Sequence, residues 1–307
     1  MKGQVIKSTG SWYEVKTEAG KVFRSRLRGK FKMEGIKINN PVAVGDWVEI
    51  EEEEKGDNSA VITQLHPKTN YIIRKSTRKT GFSHILASNV DQALLLATVT
   101  FPKTSLGFID RFLVSAESFR IPALVVFNKK DLLNQAGIDF CHELIEMYES
   151  IGYRGSLISV LDEEGILELT GLLKDKTTLI AGHSGVGKST LLNILVPGQV
   201  QKTGEVSTYA NKGTHTTTFA EMFEMDNLTK IIDTPGIKEL GLVDMQATEI
   251  SHYFPEMRAY LGQCKFNNCL HTNEPGCQVL EALEAGTIEV SRYHSYLSIL
   301  EDYDNRR

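Results

Sequence analysis

The chain has 307 residues, of which 41 % are hydrophobic and 24 % are charged, and its net charge at pH 7 is −5. This length allows two or three domains with hydrophobic cores, and the composition is that of an ordinary soluble protein. The acidic balance argues against a protein that is basic throughout and binds nucleic acid. The sequence shows no basic-plus-apolar leader and no run of about 18 apolar residues, so we expect a cytoplasmic protein.

Residues 1–68 are predicted to form a small β-barrel. Glycine turns separate short segments that predict its strands: Val5–Ile6, Trp12–Val15, Val22–Leu27, Trp47–Ile50 and Val61–Ile62, with Val42–Val44 leading into the fourth. Five short strands at this spacing favour an OB-fold, a barrel that commonly binds RNA through one face and its loops.

A run of basic residues with no acid among them falls on the second or third strand of this barrel and on the loop that follows. Its members are Lys21, Arg24, Arg26, Arg28, Lys30 and Lys32. A local patch of this kind can contact a phosphate backbone although the whole molecule is acidic. Two alternatives remain: a solvated face, and a barrel that serves only for docking. The acidic stretch Glu51–Glu54 is expected to be a solvated hairpin tip.

A basic linker around residues 68–79 leads into a second predicted domain, residues 69–245, in which strands and helices alternate. The predicted strands are Ala93–Val99, Ala123–Phe127, Ser156–Ile158, Thr178–Ala181, Phe219–Met225 and Thr229–Ile232. The predicted helices are Leu106–Phe119, 138–151 and Gly165–Leu173. Alternation of this kind favours an α/β fold, with a largely parallel sheet and helices on both faces.

The strand Thr178–Ala181 runs into a P-loop followed by the start of a helix. The loop and the first helical residues are Gly182, His183, Ser184, Gly185, Val186, Gly187, Lys188, Ser189 and Thr190. Backbone N–H groups at such a loop form a nest for phosphates, and the helix dipole favours the same negative charge. Lys188 is expected to reach the β- and γ-phosphates, and the Ser189 hydroxyl is expected to coordinate Mg²⁺. The sequence therefore predicts a nucleoside triphosphate site.

Two further strand ends carry residues that complete such a site. Asp233-Thr234-Pro235-Gly236 follows one strand, where the Asp holds Mg²⁺, usually through water, and the Gly amide senses the γ-phosphate. Asn128-Lys129-Lys130-Asp131 follows another strand and resembles the NKxD motif of the GTPases. In that family the Asp accepts hydrogen bonds from N1–H and the 2-amino group of guanine, so the resemblance implies that Asp131 selects GTP. Ser159 and Val160 occupy the position of the last guanine-contacting turn.

The polar segment Gly213–Thr218 is predicted to act as switch I. The resemblance to GTPases implies that one Thr completes the Mg²⁺ shell, with Thr217 as first choice and Thr216 or Thr218 as alternatives. Ile237 follows the glycine of the Asp motif, where Ras-type enzymes place a Gln that orients the attacking water. An aliphatic side chain cannot orient water, so His215 is the candidate for this task, with ordinary surface polarity as the alternative.

The order of these motifs is itself informative. An ordinary Ras-like domain runs P-loop, switch I, Asp motif, NKxD and then the Ser turn, whereas here NKxD and Ser159 precede the P-loop. The domain therefore resembles a circularly permuted GTPase. Because the chain passes from the Asp motif directly into the C-terminal region, a change at the γ-phosphate could move the attached domain.

Residues 246–307 are predicted to form a helical zinc-binding domain. Three of the four cysteines fall within fourteen residues with one interleaved His: Cys264, Cys269, His271 and Cys277. This spacing is typical of a Cys₃His structural zinc site, in which four protein ligands leave no open position for catalysis. Residues 278–305 are expected to be helices packed on this loop, with Tyr293 and Tyr296 in the core rather than on a base-stacking surface. Cys141 is expected to pack in a helix.

Together these three parts resemble the bacterial RsgA, or YjeQ, family of small-ribosomal-subunit biogenesis GTPases. The resemblance covers the whole chain, and its most specific pieces are the SGVGKS form of the P-loop, the Thr triplet behind His215 and the zinc-ligand spacing. Two positions depart from the family, His183 where Gln is typical and Thr214 where Arg is common. The resemblance implies a factor for late 30S assembly, a GTPase stimulated by the small subunit, contact with 16S rRNA, one zinc and Mg²⁺ with GTP. Nothing in the sequence demands more than a monomer.

Two rival functions stay open at this point. One is a P-loop enzyme that acts on a small molecule, which a preference for ATP would favour. The other is an RNA-binding scaffold stabilised by its nucleotide, which would bind GTP without hydrolysing it.

Overall fold

The computed structural model describes residues 1–28, 40–53, 58–75, 83–198, 220–234 and 245–304. Several predicted residues lie outside these ranges: Lys30, Lys32, Arg78, Lys79, His215, Thr216, Thr217, Thr218, Gly236 and Ile237. Within the described ranges, no helix is long and apolar enough to cross a membrane.

The N-terminal strands close into the predicted barrel. They are β1 (Lys2–Ser8), β2 (Tyr13–Thr17), β3 (Val22–Leu27), β4 (Trp47–Glu52) and β5 (Ser59–Leu65). β1 pairs with both β2 and β4, and β5 joins β4 to β3, so the ring has no gap. Alternate residues of each strand, such as Val15 and Phe23, are buried in the barrel. The OB-fold prediction is confirmed, and Val42–Val44 forms only an isolated bridge between Val44 and Ala87.

A short hairpin replaces the predicted linker. Its strands are β6 (Tyr71–Lys75) and β7 (Ser83–Ser88), which pair antiparallel. Ile72 and Ala87 are buried in the same core as the parallel sheet, and the burial of Ile72 explains why part of the stretch predicted to be a linker forms the strand β6. Lys68 and Asp46 form a buried ion pair that ties the hairpin entry to the barrel.

The central domain is a sheet with helices on both faces. Its strands are β8 (Gln92–Ala97), β9 (Ala123–Phe127), β10 (Arg154–Leu157), β11 (Thr177–Gly182), β12 (Glu221–Glu224) and β13 (Lys230–Asp233). Its helices are α1 (Leu106–Ser118), α2 (Gln135–Ser150), α3 (Glu163–Leu173) and α4 (Lys188–Leu195). The sheet order is β10-β9-β8-β11-β13-β12, parallel except for β12. All six residues of β8 are buried, as expected for a strand covered on both faces.

The barrel and the central sheet form one continuous sheet of eleven strands, because β1 pairs with the edge strand β12. Lys7 lies opposite Glu221, and the Ser8 N–H donates to the Ala220 carbonyl at 3.4 Å. Two ion pairs flank the junction, Lys7 with Glu221 and Lys16 with Glu224. Pairing of this kind hides an edge that would otherwise expose free backbone groups.

The C-terminal region packs against α1. It contains α5 (Pro255–Arg258), α6 (Gln278–Glu284) and α7 (Val290–Asp304), after a 3₁₀ segment at Ala247–Tyr253. Arg292 of α7 is 1 % exposed and donates to Asp110 of α1 at 2.6 Å and to Glu256 at 2.7 Å. Burial would lower the pKa of Arg292, but the two carboxylates hold it above its usual value. This buried ion cluster fixes the C-terminal region to the central domain.

Replacing Arg292 by Met should destabilise the protein by about 3–5 kcal/mol, because Asp110 and Glu256 would be left buried without their cation. The matched control is Arg111→Met, which removes a more exposed ion pair with Asp302 on the same two helices and should cost less than about 1 kcal/mol. Urea unfolding followed by far-UV circular dichroism compares the two variants. Equal losses would show that burial does not set the energy of this cluster.

Candidate nucleotide site and metal centre

The P-loop has the strand–loop–helix geometry that the sequence predicts. β11 is buried and ends at Gly182, and α4 begins at Lys188 with Gly187 as its N-cap. Gly185 and Gly187 have φ angles of 86° and 101°, a region that favours glycine. A Cβ on Gly187 would lie 2.5 Å from the Asn128 Nδ2 atom, so glycine is required there. Ser189 and Thr190 are half-buried in the first turn of α4.

The Lys188 ammonium group contacts the Asp233 carboxylate at the end of β13. β13 lies beside β11 in parallel register, with Asp233 opposite Ile180, and this register brings the two motifs to one edge of the sheet. Among the described residues, the Asp233 Oδ2 and Thr234 Oγ1 atoms are buried without a hydrogen-bond partner. A buried carboxylate oxygen beside the P-loop and the Ser189 hydroxyl form an oxygen donor set that fits Mg²⁺.

The Asn128 amide ties three loops together. Its Nδ2 donates to the Val186 carbonyl at 2.8 Å, and its Oδ1 accepts from the Val160 N–H at 3.0 Å. The side chain is 2 % exposed and so is held by the protein on both sides. The amide thereby positions the P-loop and the Ser159 turn relative to each other.

Asp131 is exposed at the same edge of the sheet, where a base could reach it. Its Oδ1 accepts from the Ser159 hydroxyl at 2.6 Å, and that hydroxyl accepts from the Leu161 N–H at 3.2 Å. These bonds hold one oxygen of the exposed carboxylate and leave lone pairs that can accept hydrogen bonds from a base. The Lys129 Nζ donates to the Phe101 carbonyl at 2.8 Å, while the Lys130 N–H donates to the Ile158 carbonyl at 3.1 Å.

Two contacts to the P-loop from the α1 segment were not predicted. The His183 ring lies 3.8 Å from the Phe108 ring, measured between centroids, and a Cβ on Gly185 would lie 3.3 Å from Pro102. The sequence carried no signal for either contact, because both join segments about 75–85 residues apart. The His183 side chain is thus a packing partner of α1.

One ladder row joins the nucleotide site to the barrel. Glu221 of β12 lies opposite Asp233 of β13 on one side and opposite Lys7 of β1 on the other. The Lys7 Nζ donates to Glu221 at 2.9 Å, and this contact raises the pKa of Lys7. The barrel residue Lys7 is therefore separated from Asp233 by one residue of the ladder, Glu221.

The basic run on the barrel is largely matched by acids. Lys21 pairs with Glu52 at 3.2 Å, Arg26 with Glu53 at 2.6 Å and Arg28 with Glu51 at 3.0 Å. Of the stretch predicted to be a solvated hairpin tip, Glu51–Glu53 thus lies beside the basic strand, since β4 and β3 both border β5, and Glu54 lies outside the described residues. Arg24 is different, because its guanidinium lies 4.4 Å from the centroid of the Trp12 ring. The RNA-binding role of the run stays a prediction.

The predicted zinc ligands converge in the C-terminal region. The ligand atoms of Cys264, Cys269, His271 and Cys277 all lie within 4.8 Å of one another. The Cys264 and Cys277 sulfurs are 3.9 Å apart, and the His271 Nδ1 lies 3.6 and 3.3 Å from them. Zn–S bonds of about 2.3 Å in a tetrahedron place two sulfurs about 3.8 Å apart, so this donor set fits one structural zinc.

Surrounding groups hold the ligand loop in shape. Tyr293 and Tyr296 of α7 donate to the carbonyls of His271 and Leu270, at 2.7 and 2.6 Å, and both rings are buried as predicted. Burial would raise the pKa of Glu274, but the backbone N–H groups of residues 270, 272, 273 and 274 lower it to about 2. The loop is therefore closed by hydrogen bonds as well as by its metal ligands.

Purified protein should contain one zinc per chain, and the Cys277→Ser variant should contain none. This variant should also lose several kcal/mol of stability in the C-terminal region, because zinc binding by such sites supplies about 10–16 kcal/mol. Metal content is measured by atomic absorption and stability by thermal unfolding. Cys141→Ala is the control, since Cys141 is buried in α2 outside the cluster and its loss should leave one zinc. Full zinc content in Cys277→Ser would contradict the assigned ligand set.

Comparison with known proteins adds independent information. The RsgA N-terminal domain profile matches residues 2–62, and the RsgA GTPase profile matches residues 65–243. The chain is 52 % identical to the small ribosomal subunit biogenesis GTPase RsgA of Cytophaga hutchinsonii, with both chains covered completely. It is 51 % identical to the protein of the same name from Bacteroides fragilis, covering 98 % of this chain and 97 % of that relative.

Solved structures give the same result. YjeQ from Thermotoga maritima superposes with a TM-score of 0.77 at 35 % identity, covering 100 % of this chain and 99 % of the other. YloQ, described as a circularly permuted GTPase, superposes with a TM-score of 0.73 at 30 % identity, covering 100 % and 96 %. The order of motifs, the joined barrel and sheet, and these likenesses agree: the chain belongs to the RsgA family of GTPases.

Proposed function

We propose that this protein hydrolyses GTP in response to the small ribosomal subunit and acts in late maturation of that subunit. The observation that carries the proposal is the identity of about half of all residues, over the full length, to relatives named small ribosomal subunit biogenesis GTPases. The geometry supports it, because the phosphate-binding and guanine-reading motifs meet at one edge of the sheet.

GTP would bind with its phosphates on the P-loop and its base at Asp131. Lys188 would exchange its contact with Asp233 for the β- and γ-phosphates, and Ser189, Asp233 and Thr217 would hold Mg²⁺. Bound Mg²⁺ neutralises charge on the phosphates. The amides of the P-loop and of Gly236 would stabilise the charge that develops in the transition state, and His215 would orient the attacking water.

The partner is inferred from the same family membership. We propose that the barrel, residues 1–68, and the zinc-binding region, residues 246–307, contact 16S rRNA on either side of the GTPase domain, residues 69–245. We also propose a cytoplasmic monomer, since the ribosomal subunit supplies the binding partner. Neither rival is favoured, because relatives identical at about half of all positions over the full length are named as GTPases of small-subunit biogenesis.

The rate of GTP hydrolysis should rise strongly when purified 30S subunits are added, and ATP should be a poor substrate. The His215→Ala variant should have a stimulated rate that is lower by at least about tenfold. Phosphate release measures both nucleotides. Stimulation that survives the substitution would remove His215 from catalysis and leave the ribosomal function standing. Absence of any response to 30S subunits would contradict the proposed function.

We further propose that the row Lys7–Glu221–Asp233 transmits ribosome contact from the barrel to the Mg²⁺ site. Asp233 must release Lys188 when GTP binds, and Glu221 lies opposite it on the neighbouring strand. Because Lys7 holds Glu221, movement of the barrel changes the position of β12 and hence of Asp233.

Lys7→Met should lower the 30S-stimulated kcat by about threefold or more without weakening 30S binding, because the contact acts on Asp233 and not on the ribosome. Lys16→Met is the matched control, because its ion pair with Glu224 flanks the same junction and is similarly exposed. The exposed side-chain fractions are 31 and 30 % in the Lys7–Glu221 pair and 33 and 32 % in the Lys16–Glu224 pair. Glu224 lies opposite Lys230 rather than Asp233, so this control should retain the wild-type rate. Equal losses in both variants would show that the junction is only structural.

A further inference from the structure

The barrel carries a groove of about 440 Å³ on the face beside its junction with β12. Its lining comes from β1, β2, β3, the β1–β2 loop and the residue before β5, and includes Lys7, Trp12, Glu14, Arg24 and Asn58. A volume of this size lies within the range of small-molecule sites and can receive one nucleotide unit. The groove is thus large enough for a specific contact.

The guanidinium of Arg24 is held in place and is available to bind a ligand. It lies on the ring of Trp12, which is 36 % exposed, and among the described residues it forms no ion pair. Its neighbours in the basic run, by contrast, are paired with Glu51–Glu53. The Arg24 N–H donates to the Asn58 carbonyl and the Thr9 N–H to the Trp12 carbonyl, so the backbone beneath both side chains is fixed. Little side-chain freedom remains to be lost on binding.

The groups around this stack have the chemistry of a nucleotide site. An arginine plane on an aromatic ring offers a surface on which an unpaired base can stack, and Arg24 supplies positive charge for a phosphate, whereas Lys7 is engaged by Glu221. Glu14, opposite Arg24 in the β2–β3 ladder, is an exposed carboxylate that can accept hydrogen bonds from base amino groups. Repulsion from this carboxylate disfavours a simple anion as the ligand of the groove.

We propose that the Trp12–Arg24 groove binds an unpaired nucleotide of RNA, and that this groove, rather than the acid-paired row of Lys21, Arg26 and Arg28, is the principal RNA contact of the barrel. The inference rests on the proposed function for the identity of the RNA, but the groove itself is defined by its geometry. Lys7 belongs both to the groove and to the row that leads to Asp233, so a nucleotide bound here would lie beside the junction with β12.

The test uses the full chain and a fluorescein-labelled single-stranded RNA of about 12 nucleotides, the length that one OB-fold can cover. Anisotropy titrations at several KCl concentrations compare wild type, Arg24→Gln, Trp12→Ala and the charge-matched control Arg26→Gln. Arg24→Gln and Trp12→Ala should each weaken binding about tenfold, and Arg24→Gln should also reduce the salt slope by about 0.7. Arg26→Gln should weaken binding less than about twofold, because Glu53 already neutralises Arg26.

A second measurement leaves the groove unchanged. The chain has two tryptophans, so Trp47→Phe isolates the emission of Trp12. Saturating RNA should quench that emission if a base stacks in the groove. Unchanged Trp12 emission, or equal weakening by Arg24→Gln and Arg26→Gln, would overturn the proposal.

Parallel GTPase assays with 30S subunits separate the two conclusions. If stimulation by 30S is absent while RNA binding depends on Arg24, the proposed function fails and the groove stands. If 30S binding depends on Arg24 while binding of the oligoribonucleotide does not, the groove receives a ribosomal protein segment and the RNA assignment is overturned.

Discussion

The pairing of β1 with β12 determines how the nucleotide site relates to the rest of the molecule. β12 is the last strand of the central sheet, and β1 pairs with its first residue, Glu221, while also pairing with β2 and β4 of the barrel. β1 and β12 share one hydrogen-bonded ladder. The barrel therefore cannot shift along β12 without breaking the β1–β12 pairing and the Lys7–Glu221 contact. The two domains are thereby joined by a sheet and not by a linker alone.

The nucleotide site itself depends on close approach of three loops. The Asn128 amide donates a hydrogen bond to the P-loop and accepts one from the Ser159 turn. Gly187 has no side chain, so it leaves room for this amide. A permuted chain order does not disturb this arrangement, because the carboxyl ends of parallel strands meet at one edge whatever the order in which the strands are connected. Phosphate binding and guanine recognition can therefore keep their geometry after permutation.

On the opposite side of the site, α1 connects the P-loop to the zinc-binding region. Phe108, near the start of α1, packs on His183. Two residues later on the same helix, Asp110 accepts a hydrogen bond from the buried Arg292. The zinc cluster is in turn covered by Tyr293 and Tyr296, which lie on the same helix as Arg292. The nucleotide site thus has one rigid neighbour on each side, the barrel through β12 and the C-terminal region through α1.

The sequence alone determined the motifs whose chemistry is local. The P-loop, the NKxD motif, the Asp motif and the zinc-ligand spacing each lie within a few consecutive residues, and apolar periodicity located the strands and helices that carry them. The order of these motifs was sufficient to predict a permuted GTPase. The strand β6 was missed, because the charge around it suggested a linker, whereas burial of Ile72 decides its conformation.

Only the tertiary structure decided which distant charges neutralise each other. Lys21, Arg26 and Arg28 belong in the sequence to a basic run with no acid in it, yet the fold places Glu51–Glu53 within ion-pair distance and leaves Arg24 on Trp12. The junction of Lys7 with Glu221 spans 214 residues and the pair Arg292–Asp110 spans 182. Such pairs leave no periodic or local signal, since their partners are set by strand order and helix packing rather than by neighbouring residues.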